Sequence, residues 1–578
     1  MMSAIPWTDL RADCRASQAM NQLDWEAFCR SEFLLPNEAN IPKLEEKFSF
    51  LIARLSATSG GRSGRRPVDP TGMYNEENVG FEIPGAISSF EEAMSDTCQY
   101  FDGCIRWHDP RALFNITPSP LLDTVALAAI TSLYNPNGLW DHTSGKLLLA
   151  ERRVVSALAG LARWDARLVG GVFTSGGKAT LMYGIKAGLN KTEPEGVAKG
   201  YRNRHRVLAS AAAHYSLESI CNFLGLGQEA SIRVQTDARG GMDLASLEWT
   251  MTQLLAKGDV VSAVIVSGGA TMNVVADDFD GARRVIDRVC ARAGVPLPQL
   301  HADLVISWPW LMFDSESTIP TYLSPATVQG IMELHRRVAA VRVTDSFGVD
   351  FHKTGLCPYS SSVFMAQDAA SLRSINSAMR AQIEERDFGD ASNFDRTLEN
   401  SRTCQGIITA YHVLRRLGKQ GFREYIGRAL RAREMFVEEL ASIDDLELVN
   451  TDTLGFEVVI RPDFYRETLE FRDIDATPDS NEVLLYKERC ELFWSFLNQN
   501  EFNVENDTPV VGYVPRFVNH RYRSGAPAFL LYPVSVHLDR ICIRNVLRSF
   551  RNAKTHFEQR LILGAEFARP RLRLDPPK

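Results

Sequence analysis

The sequence predicts an α/β domain built on a mostly parallel sheet, followed by a smaller α+β domain. Three observations carry this expectation. From about residue 120, short apolar runs alternate with stretches of helical periodicity. Four of those runs end beside residues able to do chemistry, as the carboxyl ends of parallel strands do. After about residue 405, long helices lead into a further strand–helix set.

In chain order, residues 1 to about 58 read as amphipathic helix, and SGGRSGRRPVDPTG then breaks the pattern as a loop. Its arginines could hold an anion, although a solvated loop is the plainer reading. LLDTVALAAITSLYN places Leu122, Val125, Ile130 and Leu133 at helical spacing, and LLLAERRVVSALAGLA does likewise. GGVFTSGG, HRVLASAAAH, VSAVIVSGGA, VPLPQLHADLVI and RVTDSFGV are strand candidates, separated by helical segments such as DFDGARRVIDRVCARAG. GIITAYHVLRRLG and FREYIGRALRAREMFVEELASI are the long helices, and LELVNTDTLGFEVVIRP opens the last strand set. The expected segments are 1–110, 111–405 and 406–578.

A chain of 578 residues with 45% hydrophobic content supports a large core and more than one domain. Its 64 basic and 71 acidic residues give a net charge of -7, so no global field favours nucleic acid or an anionic membrane. Small-molecule chemistry is expected. The ten cysteines are scattered without a CxxC pair or metal-ligand spacing, which fits free thiols in a reducing cytoplasm. The N-terminal stretch lacks an apolar signal region, and no run approaches the roughly 20 apolar residues of a membrane span.

Four pieces sit at strand ends. In GVFTSGGKAT, Gly176 and Gly177 close a strand and open a helix, so backbone N–H groups can approach a phosphate, and Lys178 adds a positive charge; taken alone, a tight strand-to-helix turn with no ligand is an equal reading. A P-loop is excluded twice: Val172 stands where its first glycine belongs, and Ala179 replaces the magnesium-binding hydroxyl. GLGQEA, a relaxed dinucleotide fingerprint, follows a helix rather than a strand and is set aside. The second piece is His214, just past HRVLAS; taken alone, it is most simply a packed or solvated histidine. The third is Asp303, which interrupts an apolar run and must find a cationic or hydrogen-bonding partner, for which a nearby arginine would serve. The fourth is Lys353 in VTDSFGVDFHKTGLCPY, a long cation at a strand end that is costly to bury unless it is paired or used as a nucleophile. Together, a phosphate cradle, a planar histidine, a buried aspartate and a strand-end lysine meet the needs of pyridoxal 5'-phosphate. The lysine forms a Schiff base, the aspartate keeps the pyridine nitrogen protonated, and the histidine stacks on the ring.

FTSGG, HYSLESICNFLGLG, GMDLASLEW, HADLV, TDSFGVDFHKTGLCPY and TLENSRTCQGIITAYHVLRRLGKQGF resemble, in order, blocks of the group II pyridoxal-phosphate-dependent amino-acid decarboxylases, the glutamate, aspartate, cysteine-sulfinate and aromatic amino-acid decarboxylase family. The resemblance spans roughly residues 105 to 430. It implies fold type I, the aspartate aminotransferase-like fold, with a cofactor-binding large domain, an N-terminal helical dimerisation arm and a homodimer whose subunits share the active sites. It implies that Lys353 carries the cofactor, with His352 near the phosphate, Asp303 on the ring nitrogen, and His214 on the ring face. Gly177 and Lys178 fall at the phosphate-binding turn, and Thr271 in SGGATMN lines the cofactor site. Arg402 matches an arginine placed in relatives for the substrate carboxylate; an exposed ion pair at a helix start is the alternative. The implied activity is decarboxylation of an L-amino acid to its amine through a quinonoid carbanion.

Three departures stand out. Lys178 and Ala179 replace the usual Thr-Glu after the glycines, and Leu304 and Val305 follow Asp303 where relatives often have two alanines. Residues 366 to 401 contain no tyrosine, where relatives carry one that helps protonate the carbanion; Phe388 and Phe394 stand in that stretch, and Tyr359, or a tyrosine from a partner subunit, is a candidate substitute. In relatives a phenylalanine in place of that tyrosine goes with oxidative deamination to an aldehyde. A catalytically idle scaffold homologue is a further alternative, opposed by the presence of Lys353, Asp303 and His214.

Overall fold

The computed structural model describes residues 27–57, 64–66, 73–75, 79–84, 87–376, 392–464, 477, 480–498, 508–518 and 525–562. It divides into two compact units, Met1–Cys104 and Ile105–Lys578. In the first, the helix Pro42–Ala57 carries the amphipathic pattern expected there. The helix Phe90–Cys98 opens on a capping box, in which the Ser89 hydroxyl accepts from Glu92 N–H and the Glu92 carboxylate accepts from Ser89 N–H. Of the basic loop, only residues 64–66 are described; Arg65 donates to Gly103 O, and Arg66 pairs with Asp102.

The second unit holds two sheets. The larger has seven strands in the order β2-β8-β7-β6-β5-β3-β4. They are β2 Gly170–Thr174, β3 His205–Ser210, β4 Ser231–Val234, β5 Val260–Ser267, β6 Gln299–Asp303, β7 Ser346–Asp350 and β8 Ser362–Ala366. β8 runs antiparallel to both β2 and β7, and the rest share one direction. The sequence explains the burial: VVSAVIVS in β5 is apolar on both faces and buried along nearly its whole length, as a parallel strand covered by helices on both sides must be. Each crossover helix begins where the pattern changes period. Asp278 caps Phe279–Ala293, Asp243 caps Leu244–Ala256 and Ser324 caps Pro325–Val338, each accepting a backbone N–H of the first turn.

The strand set differs from expectation in two ways. β4 and β8 carry no strong sequence signal. β4 is a four-residue edge strand with three half-buried residues, and β8 is an apolar run that reads equally as the continuation of a turn. The run RVTDSFGV forms a strand only from Ser346, because Ala339–Val343 close into a 3-10 turn that extends the preceding helix.

The second sheet has five strands in the order β1-β11-β12-β10-β9, comprising β1 Ala112–Leu113, β9 Leu446–Leu448, β10 Val458–Pro462, β11 Val510–Val518 and β12 Gly525–Leu531. β1 pairs in parallel with β11, so this sheet takes an edge strand from residues that precede the large sheet in sequence. The two expected long helices appear as one element, Gln405–Leu440, broken at Gly418, whose φ of 55° and ψ of -173° lie outside helical space. Glycine tolerates that conformation without a Cβ clash.

Candidate active site

The carboxyl ends of β2, β3, β5, β6 and β7 are Thr174, Ser210, Ser267, Asp303 and Asp350, and the registers Ser267↔Asp303 and Asp303↔Gly348 set Asp303 beside the ends of β5 and β7. The helix Gly177–Thr192 starts directly from β2 through Ser175 and Gly176. Glycine is required at both turn positions. Gly176 has φ 156° with ψ 170°, and a Cβ on Gly177 would lie 2.7 Å from Asp350 Oδ2 and 3.2 Å from Val305 Cγ1. Ala179 N–H donates to Gly176 O at 2.9 Å, whereas the N–H groups of Gly177 and Lys178 precede the first intrahelical acceptor and favour an anion. Lys178, the next residue, is exposed.

Lys353 follows β7 in the turn that leads to β8. Its Nζ lies 3.0 Å from Asp350 Oδ2, and its side chain is 20% exposed. Burial works against its charge, but the Asp350 and Asp303 carboxylates outweigh burial and hold the ammonium above the ordinary lysine value. Asp303 is buried, and among the described residues its carboxylate accepts one hydrogen bond, from Val305 N–H at 3.3 Å. Burial raises it to about 6; Lys353 acts in the opposite direction.

His214 sits in the turn after β3. Arg233, on β4, clasps that turn: it donates to the carbonyls of Ser210, Ala213 and His214 and pairs with Glu218. His214 Nδ1 accepts from Ser216 N–H at 3.2 Å and lies 2.8 Å from Ser216 Oγ, which leaves the ring hydrogen on Nε2. Burial, reinforced by Lys353 and Arg233, lowers it to about 4, so the imidazole is neutral at physiological pH. His352 is buried with Nε2 3.5 Å from Asp350 Oδ2, and the ring of Tyr359 lies 4.2 Å from its own. The Tyr359 hydroxyl is 3.2 Å from Thr117 Oγ1. Thr271 lies in the loop after β5, where its carbonyl accepts from Tyr532 Oη at 2.8 Å, a tie between that loop and the end of β12.

Lys353, Asp303, His352, His214 and the Gly176–Gly177 turn therefore share one region, linked by the Asp350 contacts and by the charge of Lys353 acting on Asp303 and His214. Arg402 makes none of its contacts there. It is buried, so the exposed helix-start ion pair is excluded. Its Nη1 donates to Gly138 O at 2.5 Å, and its Nη2 donates to Glu151 Oε1 at 2.6 Å and Phe173 O at 3.1 Å. A guanidinium already bound to a buried carboxylate would have to break that pair to meet a substrate. Phe388 lies outside the described residues, and Phe394 packs 6.1 Å from the ring of Trp140.

Sequence reasoning missed Asp350, Arg233 and Glu151. Asp350 stands three positions before Lys353, a spacing that places both at one strand end; Arg233 lies on the strand that carries little signal.

The residues present fit pyridoxal phosphate. Asp303 is a buried carboxylate with a single long hydrogen bond and needs a cation, and the glycine turn is kept clear of side chains at a helix start. The pyridoxal-dependent decarboxylase conserved domain matches residues 81–461, more than half of the chain. The chain belongs to this family. It is 26% identical over 351 residues to the acidic amino acid decarboxylase GADL1 of Bos taurus, covering 59% of this chain and 60% of the relative. It is 25% identical to the L-2,4-diaminobutyrate decarboxylase of Rhizobium meliloti, covering 61% of this chain and 63% of the relative. The chain thus spans about three fifths of the length of these curated relatives. In fold it is similar to the crystal structure of mouse CSAD, with a TM-score of 0.72 at 17% identity over 89% of this chain and 99% of that one. It is also similar to that of Rhodiola rosea 4-hydroxyphenylacetaldehyde synthase, with a TM-score of 0.66 at 16% identity over 90% and 99%. These likenesses establish fold type I for this family member.

Asp303 yields a stability prediction. Its proton affinity is higher in the folded chain, about 6 against an ordinary 3.8, so it costs stability as pH rises from about 4 to 6. His214, lowered to about 4 from 6.5, acts in the opposite sense and costs stability as pH falls through the same window. Asp303→Asn therefore makes the cofactor-free protein more stable at pH 7.5, by about 2–3 kcal/mol, while the gain vanishes below pH ~4. Urea denaturation of both forms at pH 4 and 7.5 checks this; equal midpoints at pH 7.5 would remove the burial argument.

Proposed function

We propose that this chain is a pyridoxal-phosphate-dependent carboxy-lyase that removes CO2 from an L-amino acid and leaves the amine. The observation that carries the reading is Lys353, an amine at the end of a central parallel strand, 3.0 Å from Asp350 and within the field of Asp303, beside a helix start opened by glycines. Bound there, pyridoxal phosphate would supply an aldehyde carbon for a Schiff base and an electron-accepting ring. Lys353 is the nucleophile. Asp303 would neutralise a protonated ring nitrogen, which in turn would supply the cation its burial demands. His214, neutral and held by Ser216 and Arg233, would cover the ring face and keeps Nε2–H available as a donor. Gly176, Gly177 and the Lys178 ammonium would take the phosphate, and His352 and Thr271 would complete the wall.

The partner in this reading is a second copy of the chain. The helix Leu122–Tyr134 exposes Leu122, Val125, Ile130 and Tyr134, and Leu121, at its start, donates its N–H to Leu356 O in the lysine turn at 3.1 Å. An apolar face this close to the site suits a homodimer interface. The nine described cysteines are all free, in keeping with a cytoplasmic location, and among the described residues no helix is long and apolar enough to cross a membrane.

The test is a panel of L-amino acids in a closed cell with the cofactor-loaded protein. CO2 and amine in equal amounts without oxygen uptake is the expected result. A second reading, oxidative deamination to an aldehyde, is favoured by the lack of tyrosine in residues 366–401 and would appear as oxygen consumption with ammonia and peroxide. A protein that gains no visible absorbance from pyridoxal phosphate would overturn both and leave the idle-scaffold reading.

A further inference from the structure

Asp350 ends β7 with its side chain only 1% exposed. Its Oδ1 accepts from Ser362 Oγ at 2.6 Å; its Oδ2 lies 3.0 Å from Lys353 Nζ and 3.5 Å from His352 Nε2. The same carboxylate presses on the glycine turn, where a Cβ on Gly177 would come within 2.7 Å of Oδ2. His352 is kept neutral by burial, so among the described residues Lys353 is the one full positive charge in ion-pair contact with Asp350. The other titratable groups facing the pair are Asp303 from β6, His214 after β3, Lys178 at the helix start, and Tyr359 from the lysine turn. Asp350 thus touches both halves of the site: the amine that must react and the turn that must hold an anion.

We infer that Asp350 is a positioning residue that holds Lys353 as an ammonium in the cofactor-free protein and sets a fixed negative charge against the turn where a phosphate dianion enters. The inference deepens the reading of Lys353 as the Schiff-base lysine and rests on it. An ammonium has no free electron pair, so a proton must leave Nζ before the nitrogen can attack an aldehyde carbon. Asp350 Oδ2, in contact with that ammonium, holds the proton on Nζ, so the free amine forms only as the proton passes to water. The freed pair forms the C–N bond, the aldehyde oxygen departs as water with the two hydrogens left on nitrogen, and a proton from water returns to the new imine nitrogen. The cost of this arrangement falls on phosphate binding, because two anions share one helix start.

The experiment uses the cofactor-free full-length chain, treated with pyridoxal, which lacks the phosphate, and borohydride at pH 8; label on Lys353 is measured by peptide mass. Asp350→Asn keeps the shape and removes the charge. Labelling at least about tenfold faster is expected, since each unit by which the ammonium's hold on its proton weakens gives tenfold more free amine. In the same variant, inorganic phosphate should block loading of pyridoxal phosphate at several-fold lower concentration. A merely structural role predicts neither change. Asp350→Ser, smaller and also uncharged, repeats both measurements should the amide disturb packing. Labelling that is equal or slower, with phosphate inhibition unchanged, overturns the inference. Wild-type protein in which neither aldehyde ever labels Lys353 overturns instead the functional reading on which it stands.

Discussion

Lys353→Ala is expected to lose the absorbance band near about 420 nm that pyridoxal phosphate gives on the wild-type chain, and to lower turnover by at least about a thousandfold. Two effects are mixed in that substitution. One is chemical: no other amine is in contact with Asp350 at the end of β7 among the described residues. The other is electrostatic: alanine strands Asp350, whose buried carboxylate then has no ammonium within reach. Lys353→Arg separates them, because guanidinium keeps the positive charge yet cannot form the Schiff base. The arginine variant should melt close to the wild type, show no band after borohydride, and remain inactive. If it retained even a tenth of the activity, a covalent role for Lys353 would be untenable, and Asp303 and His214 would need another explanation.

What the sequence made legible follows from local physics. A lysine, an aspartate and a histidine at the ends of apolar runs could be recognised because strand ends are where a parallel sheet exposes side chains to a ligand, and two glycines before a helix announce an uncovered helix start. Asp350 shows the limit of such reasoning. Its position at a strand end could be read, but only the fold reveals that its carboxylate points back at Gly177 and across to Lys353. β8 escaped because an antiparallel strand inserted between β2 and β7 is a long-range event that short apolar runs do not encode. Arg402 was readable as a cation but not as a partner of Glu151, which lies 251 positions away.

That pair supplies the other large effect. Glu151, on the helix Leu147–Ala162, accepts from Phe173 N–H at 2.8 Å and from Asn393 Nδ2 at 2.7 Å as well as from Arg402. It thereby fixes β2 three residues before Gly176, and Arg402 adds a second hold through Phe173 O. With both side chains no more than 5% exposed, removal of one partner leaves an uncompensated buried charge. Arg402→Met should cost about 3–5 kcal/mol of stability, and Glu151→Gln/Arg402→Met should recover most of it, because neutralising both ends removes the unpaired charge. If Arg402 instead serves the substrate carboxylate, the single variant should raise KM steeply with its melting temperature unchanged, and the second substitution should restore nothing. Paired denaturation and kinetic measurements on the wild type and these two variants decide between a cation that builds the site and one that binds in it. The short contacts to Glu151 and to the carbonyls of Gly138 and Phe173 favour the first.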